Sequence, residues 1–512
     1  MFPTDNNFES EFTFEHSAVP VSDDPPFNIL ILGDWSGGSD KKALNERVPV
    51  IIDRDNFDEV LKRSNVELKL DFQGDENKVL HLQFKELDDF HPDNLFRNVS
   101  LFSDLREIRS RLLNSDTFDN AANEVRSWFV STNENSIDIT ELQSEINDVP
   151  PIDSSDLLDM ILTPPTSQVS SSVLQTTDSS ELSRFVANII SPHLVKIDEN
   201  EQSELIAAVD EIISESMRAI LHHPVFQSLE SAWRGLYFLV RRLETSADLK
   251  IFILDISQAE LANNLKVVDS LADSFLYHQL VFDSIETTRH ESFALIGGNY
   301  SFSVNVNDIA LLLRIAKLAD AAVAPFVSYI KPEIFGYDNF SEIFDSPQLK
   351  VLESSDETKI WMALRSSPQA KFLGLSSMKI LGRLPYGETT EPIESFSFEE
   401  FTNKHDEKKF LWINSCFPVA LILGQAYRQY GWQMGQFLRG YIENLPLYTY
   451  QQGGETKTTP CAEIVLTENS LEIILEQGLI PLISFRNSDK VKIEKISAIG
   501  LPLTNLEGRW NK

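Results

Sequence analysis

The sequence predicts an α/β fold, with mixed sheets flanked by helices. Three observations carry this. Apolar runs that end at glycine recur, at Phe27–Asp34 and Ser292–Gly298. A period-two pair of segments occupies 66–84. Long stretches with apolar residues three or four apart lie between and beyond them. Alternation of the two periods favours sheets covered by helices over a helical bundle.

In order, Glu11-Phe12-Thr13-Phe14-Glu15 alternates as a short strand does, and Pro25-Pro26 then precedes the apolar run Phe27–Leu32, closed by Gly33-Asp34 as a buried strand entering a turn. Val66–Phe72 and Leu80–Phe84 read as a half-buried hairpin joined through Gly74-Asp75. Leu95, Val99, Leu101, Leu105, Ile108 and Leu112 predict helix from Pro92 to Leu113. Further on, helical spacing covers Glu204–Ile220, Phe226–Glu244 and Asp308–Ala322. Strands are expected at Leu249–Asp255, Ala324–Ile330 and Ile464–Leu466, and Ser292–Gly298 reads as a strand that turns at its glycine pair.

Between these bodies lies a linker. No Lys or Arg occurs between Arg126 and Arg184; Pro150-Pro151 and Pro164-Pro165 break the segment, and Ser and Thr fill it. Such a composition buries too little apolar surface to offset its ordering entropy, so disorder is expected. Within it, Leu157, Leu158, Ile161 and Leu162 follow a Ser or Asp cap and predict a short amphipathic helix over 152–162. That helix either packs on its own protein or docks in a partner's groove.

The 512 residues carry 44 basic and 78 acidic side chains, a net charge of −34. This excludes a nucleic-acid binder, which needs a basic face, and docking on anionic lipid. It leaves two readings: solubility through self-repulsion, or a surface that meets basic partners. No stretch is apolar enough to span a membrane, and the N-terminal residues lack the pattern of a signal peptide. Two cysteines, Cys416 and Cys461, form neither a disulfide framework nor zinc spacing, and a cytoplasmic location is expected.

The search for chemistry returns no catalytic, cofactor-binding or metal-binding residues. His222-His223-Pro224 reads as a helix end; adjacent histidines point apart and no third ligand is spaced for zinc. Gly33-Asp34-Trp35-Ser36-Gly37-Gly38 lacks the Lys-Ser/Thr of a phosphate loop and the three-glycine dinucleotide pattern, so it reads as a structural turn. Cys416 reads as a buried small hydrophobe, and Trp233 and Tyr430-Gly431-Trp432 as core aromatics.

Several strings carry a resemblance. His222-His223-Pro224-Val225-Phe226-Gln227-Ser228-Leu229-Glu230-Ser231-Ala232-Trp233-Arg234-Gly235-Leu236 resembles the large subunit (TssC, or VipB) of the type VI secretion contractile sheath. Leu295–Tyr300, Ala324-Pro325-Phe326, Pro332–Gly336, Gly382–Gly387, Phe410–Asn414, Tyr430-Gly431-Trp432, Leu445-Pro446 and Gly478–Leu482 follow in that family's order. Upstream, Phe27–Gly37, Ile52–Val60, Asp88–Asp93 and Leu101–Leu113 resemble the small subunit (TssB, or VipA).

The resemblance implies two sheath-type globular parts joined by the acidic linker. These are an arm at 1–26, a TssB-like part at 27–130, the linker at 131–180, a TssC-like part at 181–482 and a shortened segment at 483–512. It also implies a structural role without enzymatic activity or cofactor. The implied partners are the chain's own TssB-like and TssC-like halves, other sheath copies, the Hcp inner tube, the baseplate and the ClpV ATPase, with no nucleic acid and no membrane. Asp156–Leu162 resembles the helix through which ClpV recycles spent sheath, although here it stops at Thr163-Pro164-Pro165. Family large subunits continue well past the Gly-Leu-Ile-Pro-Leu string into terminal strands, whereas this sequence stops at Lys512. A non-polymerising sheath paralogue, acting in assembly, capping or regulation, is therefore the second reading. An enzyme with an unrecognised site is the third.

Overall fold

The structure, a computed structural model, describes residues 25–38, 41–71, 79–133, 201–266, 270–282, 292–338, 340, 349–351, 355–402, 409–452 and 454–511. The expected strand at 11–15 and the expected helix at 152–162 lie outside these residues, as do Gly74-Asp75.

The first part begins with β1 (Phe27–Gly33), every residue of which is buried. β2 (Val50–Ile52) and α1 (Phe57–Arg63) follow, then the antiparallel hairpin of β3 (Val66–Asp71) and β4 (Val79–Phe84), paired Leu68 to Leu82. The single helix expected over 92–113 is divided into α2 (Pro92–Asn98) and α3 (Ser103–Leu113). Val99 is extended and buried between them, and the Arg106 guanidinium donates to the Phe96 and Arg97 carbonyls that α2 leaves unpaired. The apolar period survives the break because both helices rest on one core. α4 (Phe118–Asn133) ends this part.

The second part opens with α5 (Glu201–Leu221) and α6 (Pro224–Arg242). His222 and His223 are the helix junction: Pro224 sits at the start of α6, and His223 Nδ1 accepts from the Val225 amide at 3.3 Å. Next come β5 (Leu249–Asp255), α7 (Gln258–Lys266), β6 (Phe293–Phe302), α8 (Val306–Ala322) and β7 (Phe326–Ile330). Asn305 caps α8 through the Asp308 amide. α9 (Asp356–Arg365), β8 (Leu373–Ser376), β9 (Ile380–Leu381), β10 (Trp412–Ile413) and α10 (Cys416–Tyr430) follow. The last elements are β11 (Gly440–Ile442), β12 (Thr449–Gln452), β13 (Glu455–Thr458), α11 (Glu468–Glu476), β14 (Ile483–Ser484) and β15 (Val491–Ile493).

Six strands form the central sheet in the order β2-β5-β1-β6-β7-β8. All its pairs are parallel except β2 with β5. α10 packs against β1, β6, β7 and α6, and α8 packs on β6 and β7. The β8 edge is closed by the Ile480 and Ile499 amides, which donate to the Leu375 and Leu373 carbonyls. At the other edge Val50 and Ile51 of β2 are exposed.

Two strand expectations also need correction. The 292–298 strand does not turn at Gly297-Gly298; β6 runs through them to Phe302, with a register shift against β7 between Gly298 and Ser301. The glycines answer to crowding, not to a turn. A Cβ at 297 would lie 2.6 Å from Ile31 Cδ1, and one at 298 would lie 2.3 Å from Phe326 Cζ. No strand forms at Ile464–Leu466: Ile464 is buried and its carbonyl accepts from Ser484 Oγ, while the neighbouring Ala462 makes a lone bridge to Ile380.

Candidate functional site

The arrangement with most functional content is the seam between the two parts, because the sheet is built from both. β1, from the first part, lies between β5 and β6 of the second. Its seven residues pair with β5 in unbroken register from Phe27–Leu249 to Gly33–Asp255, and Ile29 to Leu32 pair with Leu295 to Gly298 of β6. Without β1 the second part's share of this sheet falls into two groups not paired with each other, β5 and β6-β7-β8, and β1 without them has no strand partner on either side. This is an interlock in one hydrophobic layer, not two finished surfaces in contact.

Each end of the strand is locked differently. At the start, the Phe27 ring stacks on Tyr427 at 4.8 Å and lies 5.7 Å from Trp432 and 6.1 Å from Trp510. Trp432 Nε1 donates to the Pro25 carbonyl at 2.9 Å. At the far end the lock is ionic. The Asp255 carboxylate accepts from the Trp35 amide at 3.0 Å and from Ser36 Oγ at 2.6 Å. Lys41 Nζ sits 2.6 Å from Asp34 and 3.1 Å from Asp255, and Arg47 makes a two-pronged contact with Glu260 at 2.6 and 3.1 Å. Burial pushes the Glu260 carboxyl up, but the Arg47 hydrogen bond, the Ser257 amide and nearby Lys41 outweigh it and hold the group at about 2. Burial likewise disfavours the Lys41 ammonium, yet Asp255 and Asp34 leave its pKa raised. The turn at Gly33–Gly38 thus gives acidic and hydroxyl groups to the seam.

The seam continues past the sheet. Trp233 Nε1 donates to the Trp35 carbonyl at 3.0 Å, and the two indoles meet edge to face at 5.4 Å. Phe226 packs edge-on against Phe84 and Phe90. Phe96 meets Phe396 at 4.9 Å, and the Asp93 carboxylate accepts from the Glu394 and Ser395 amides. Burial raises the Asp93 pKa, but these bonds to Ser395 and Glu394 win and leave it lowered. Arg109 forks onto Asp210 at 2.6 and 3.2 Å, Gln202 Nε2 donates to the Leu112 carbonyl, and Arg126 pairs with Glu201. Gln202 thus ties the start of α5 to the end of α3, and Glu201 ties it to α4.

Behind the seam is a buried charge cluster that the sequence reading missed. Arg383 bridges Glu230 at 2.8 Å and Glu400 at 2.8 Å, and all three are buried. Arg234 adds a bond to Glu230 at 2.7 Å and to Tyr386 Oη at 3.0 Å. His222 Nε2 lies 3.3 Å from Glu400, off the line of a hydrogen bond. Burial would raise the Glu400 carboxyl, but Arg383 holds it at about 2; burial pushes Tyr386 up to about 12. His91, from the first part, sets its ring edge against Tyr386 at 4.9 Å. The available signal was Glu230 within the apolar stripe Phe226, Leu229, Trp233 and Leu236 of α6.

The other singled-out residues are placed plainly. Trp233 and Cys416 are fully buried, and burial pushes the Cys416 thiol well up. Trp432 is partly buried against the core, but Tyr430 is 36% exposed and stacks on Phe437 at 4.0 Å, so it is not a core residue. Its place at the C-terminal end of α10 lifts it clear of the sheet. Leu157, Leu158, Ile161 and Leu162 lie outside the described residues. Among the described residues no group of three His, Cys, Asp or Glu side chains is placed to hold a metal, and no helix is long and apolar enough to cross a membrane.

Comparison with known families agrees with the division at the seam. The model of the VipB family (EvpB/VC_A0108, tail sheath N-terminal domain) matches residues 203–499, more than half of the chain. The chain belongs to the VipB tail sheath family. A second sheath model, type VI secretion system VipA (VC_A0107 or Hcp2), matches residues 11–146. The sheath chain therefore carries TssB-type and TssC-type sequence in one polypeptide, and β1 and β2 come from the VipA match while β5 to β8 come from the VipB match. A curated relative, the type VI secretion system sheath protein TssC1 of Pseudomonas aeruginosa, is 33% identical over 292 residues, which is 56% of this chain. The match spans 58% of that relative's length. The strings His222–Leu236 and Gly382–Gly387, which carried the resemblance, supply Phe226, Glu230, Trp233, Arg234, Arg383 and Tyr386 to the seam and to the cluster behind it.

Proposed function

We propose that the chain is a structural subunit of a cytoplasmic type VI contractile sheath, acting by assembly and rearrangement and not by chemistry. It would surround the Hcp inner tube, meet the baseplate and drive the tube outward on contraction, and ClpV would recycle it through Leu157, Leu158, Ile161 and Leu162. We take the TssB-like part as 27–130 and the TssC-like part as 181–482, with an arm at 1–26, the linker at 131–180 and a terminal segment at 483–512. The observation that carries the reading is the interlocked β1. It makes one rigid building block of the two sheath sequences, and a subunit that transmits force needs a sheet whose strands cannot slide apart without breaking parallel hydrogen bonds along their length.

Electron microscopy of the purified full-length chain tests this. Striated tubes are expected. A single small species at all concentrations, alone and with Hcp, would overturn polymerisation and leave the accessory role in assembly, capping or regulation.

A further inference from the structure

We propose that the groove between α11 and the 495–503 segment docks a short basic amphipathic helix from a protein partner. The groove encloses about 390 Å³. Leu471 and Leu475, one turn apart on α11, form its floor, with Leu503 as the facing wall. Leu503 is 43% exposed, as is its neighbour Leu501. The wall is held in place by the backbone: Gly478 follows α11 at φ +73, and a Cβ there would lie 2.8 Å from the Ala498 carbonyl oxygen and 3.2 Å from Leu503 Cδ2. α11 itself is anchored through buried Ser470 and Ile474, with Thr467 capping it through the Ser470 amide.

The rim decides the occupant. Glu468, Glu472 and Glu476 stand one turn apart along the groove, and none makes an ion pair among the described residues. Like charges at this spacing repel. Lys and Arg side chains of an incoming helix would turn that repulsion into attraction while its apolar face covers Leu471, Leu475 and Leu503. Lys495 at the groove's other side leaves the pairing one-sided, which sets the orientation of the incoming helix. The net charge of −34 adds long-range steering of basic partners. The chain's own linker does not fit, since it has no Lys or Arg between Arg126 and Arg184. α11 is nine residues long, about 14 Å, room for two to three turns of helix. The proposal does not depend on whether the chain polymerises.

The test uses the full chain and a fluorescent Leu/Lys amphipathic peptide of about four turns, followed by anisotropy at physiological salt. Saturable binding is expected. Glu472→Lys with Glu476→Lys weakens it by about tenfold or more, and so does Leu475→Asp. The glutamate variant in turn binds the matching Leu/Glu peptide, which the parent does not. As a control for charge alone, Glu107→Lys with Asp116→Lys, both exposed and in the first part, leaves the affinity within about twofold. If the control reversal weakens binding as much as the groove reversal, or if Leu475→Asp changes nothing, the groove is not the site. Glu472 and Glu476 are exposed, so the reversal carries the test even if Leu475→Asp impairs folding.

Discussion

Ile31 and Gly297 are register partners across β1 and β6, and the isoleucine occupies the space a side chain at 297 would need: a Cβ there would lie 2.6 Å from Ile31 Cδ1. One residue belongs to the VipA match and the other to the VipB match. Gly297→Ala is expected to destabilise the protein by about 1–3 kcal/mol through overpacking. Ile31→Ala alone costs about 2–5 kcal/mol. The double variant should fall short of the sum by at least about 1 kcal/mol. Chemical denaturation of the four proteins measures this; strict additivity would show that the two residues do not compete for space.

The shared sheet predicts that the peptide connection between the parts is dispensable once folding is complete. A protease site inserted between residues 134 and 200 and then cut should leave two fragments that co-elute on size exclusion. Two separate peaks under native conditions would contradict the interlock.

Acid should loosen this cleaved pair. The Glu260 carboxyl lies at about 2 in the folded protein against an ordinary value of 4.5. A depressed carboxyl adds stability that is fully present above 4.5 and is lost as pH falls toward 2. The expected loss of association lies in that window, and Glu260→Gln should flatten its pH dependence while weakening the complex at pH 7. An unchanged acid midpoint in the variant would remove Glu260 from the lock.

Arg383 neutralises two buried carboxylates; its removal strands Glu400 and leaves Glu230 to Arg234 alone. Arg383→Met should cost about 3–5 kcal/mol. Adding Glu400→Gln should recover part of that loss, because the stranded charge is then gone while Glu230 keeps Arg234. Thermal melts of the single and double variants decide it; a double variant less stable than Arg383→Met would mean that Glu400 contributes by other contacts, such as the Tyr386 amide it accepts from.

In the proposed function, ClpV would recognise the linker through Leu157, Leu158, Ile161 and Leu162. Leu158→Asp should weaken binding of purified ClpV by about tenfold or more in a direct titration. Equal affinity for the variant and the parent would remove this role.

Local patterns were legible wherever local forces decide. The run Phe27–Leu32 is buried on both faces, which is why it reads as an unbroken apolar string, and the alternation at 66–71 and 79–84 reports one wet face. The helices at 201–221 and 224–242 follow their apolar stripes. What failed was decided by distant neighbours. Gly297-Gly298 looked like a turn because nothing nearby in sequence reveals Ile31 or Phe326 pressing on them. The gap at Val99 depends on Arg106 reaching back to α2. The insertion of β1 between β5 and β6 joins residues more than two hundred positions apart, and no local period encodes such a pairing. Glu230 was passed over because carboxylates are plentiful in this chain, and only burial singles it out.

The central place of β1 also bears on synthesis. This strand leaves the ribosome first, yet its two neighbours begin at Leu249 and Phe293. At roughly 5–20 residues per second, the apolar run waits on the order of tens of seconds before either flank exists. When the two sequences are encoded separately, that wait depends on how evenly both products are supplied, and any surplus of the first is an exposed strand seeking a sheet. Joined in one chain, every β1 arrives with its own flanks in equal number. The fusion thus fixes stoichiometry at translation and shortens the search that closes the sheet.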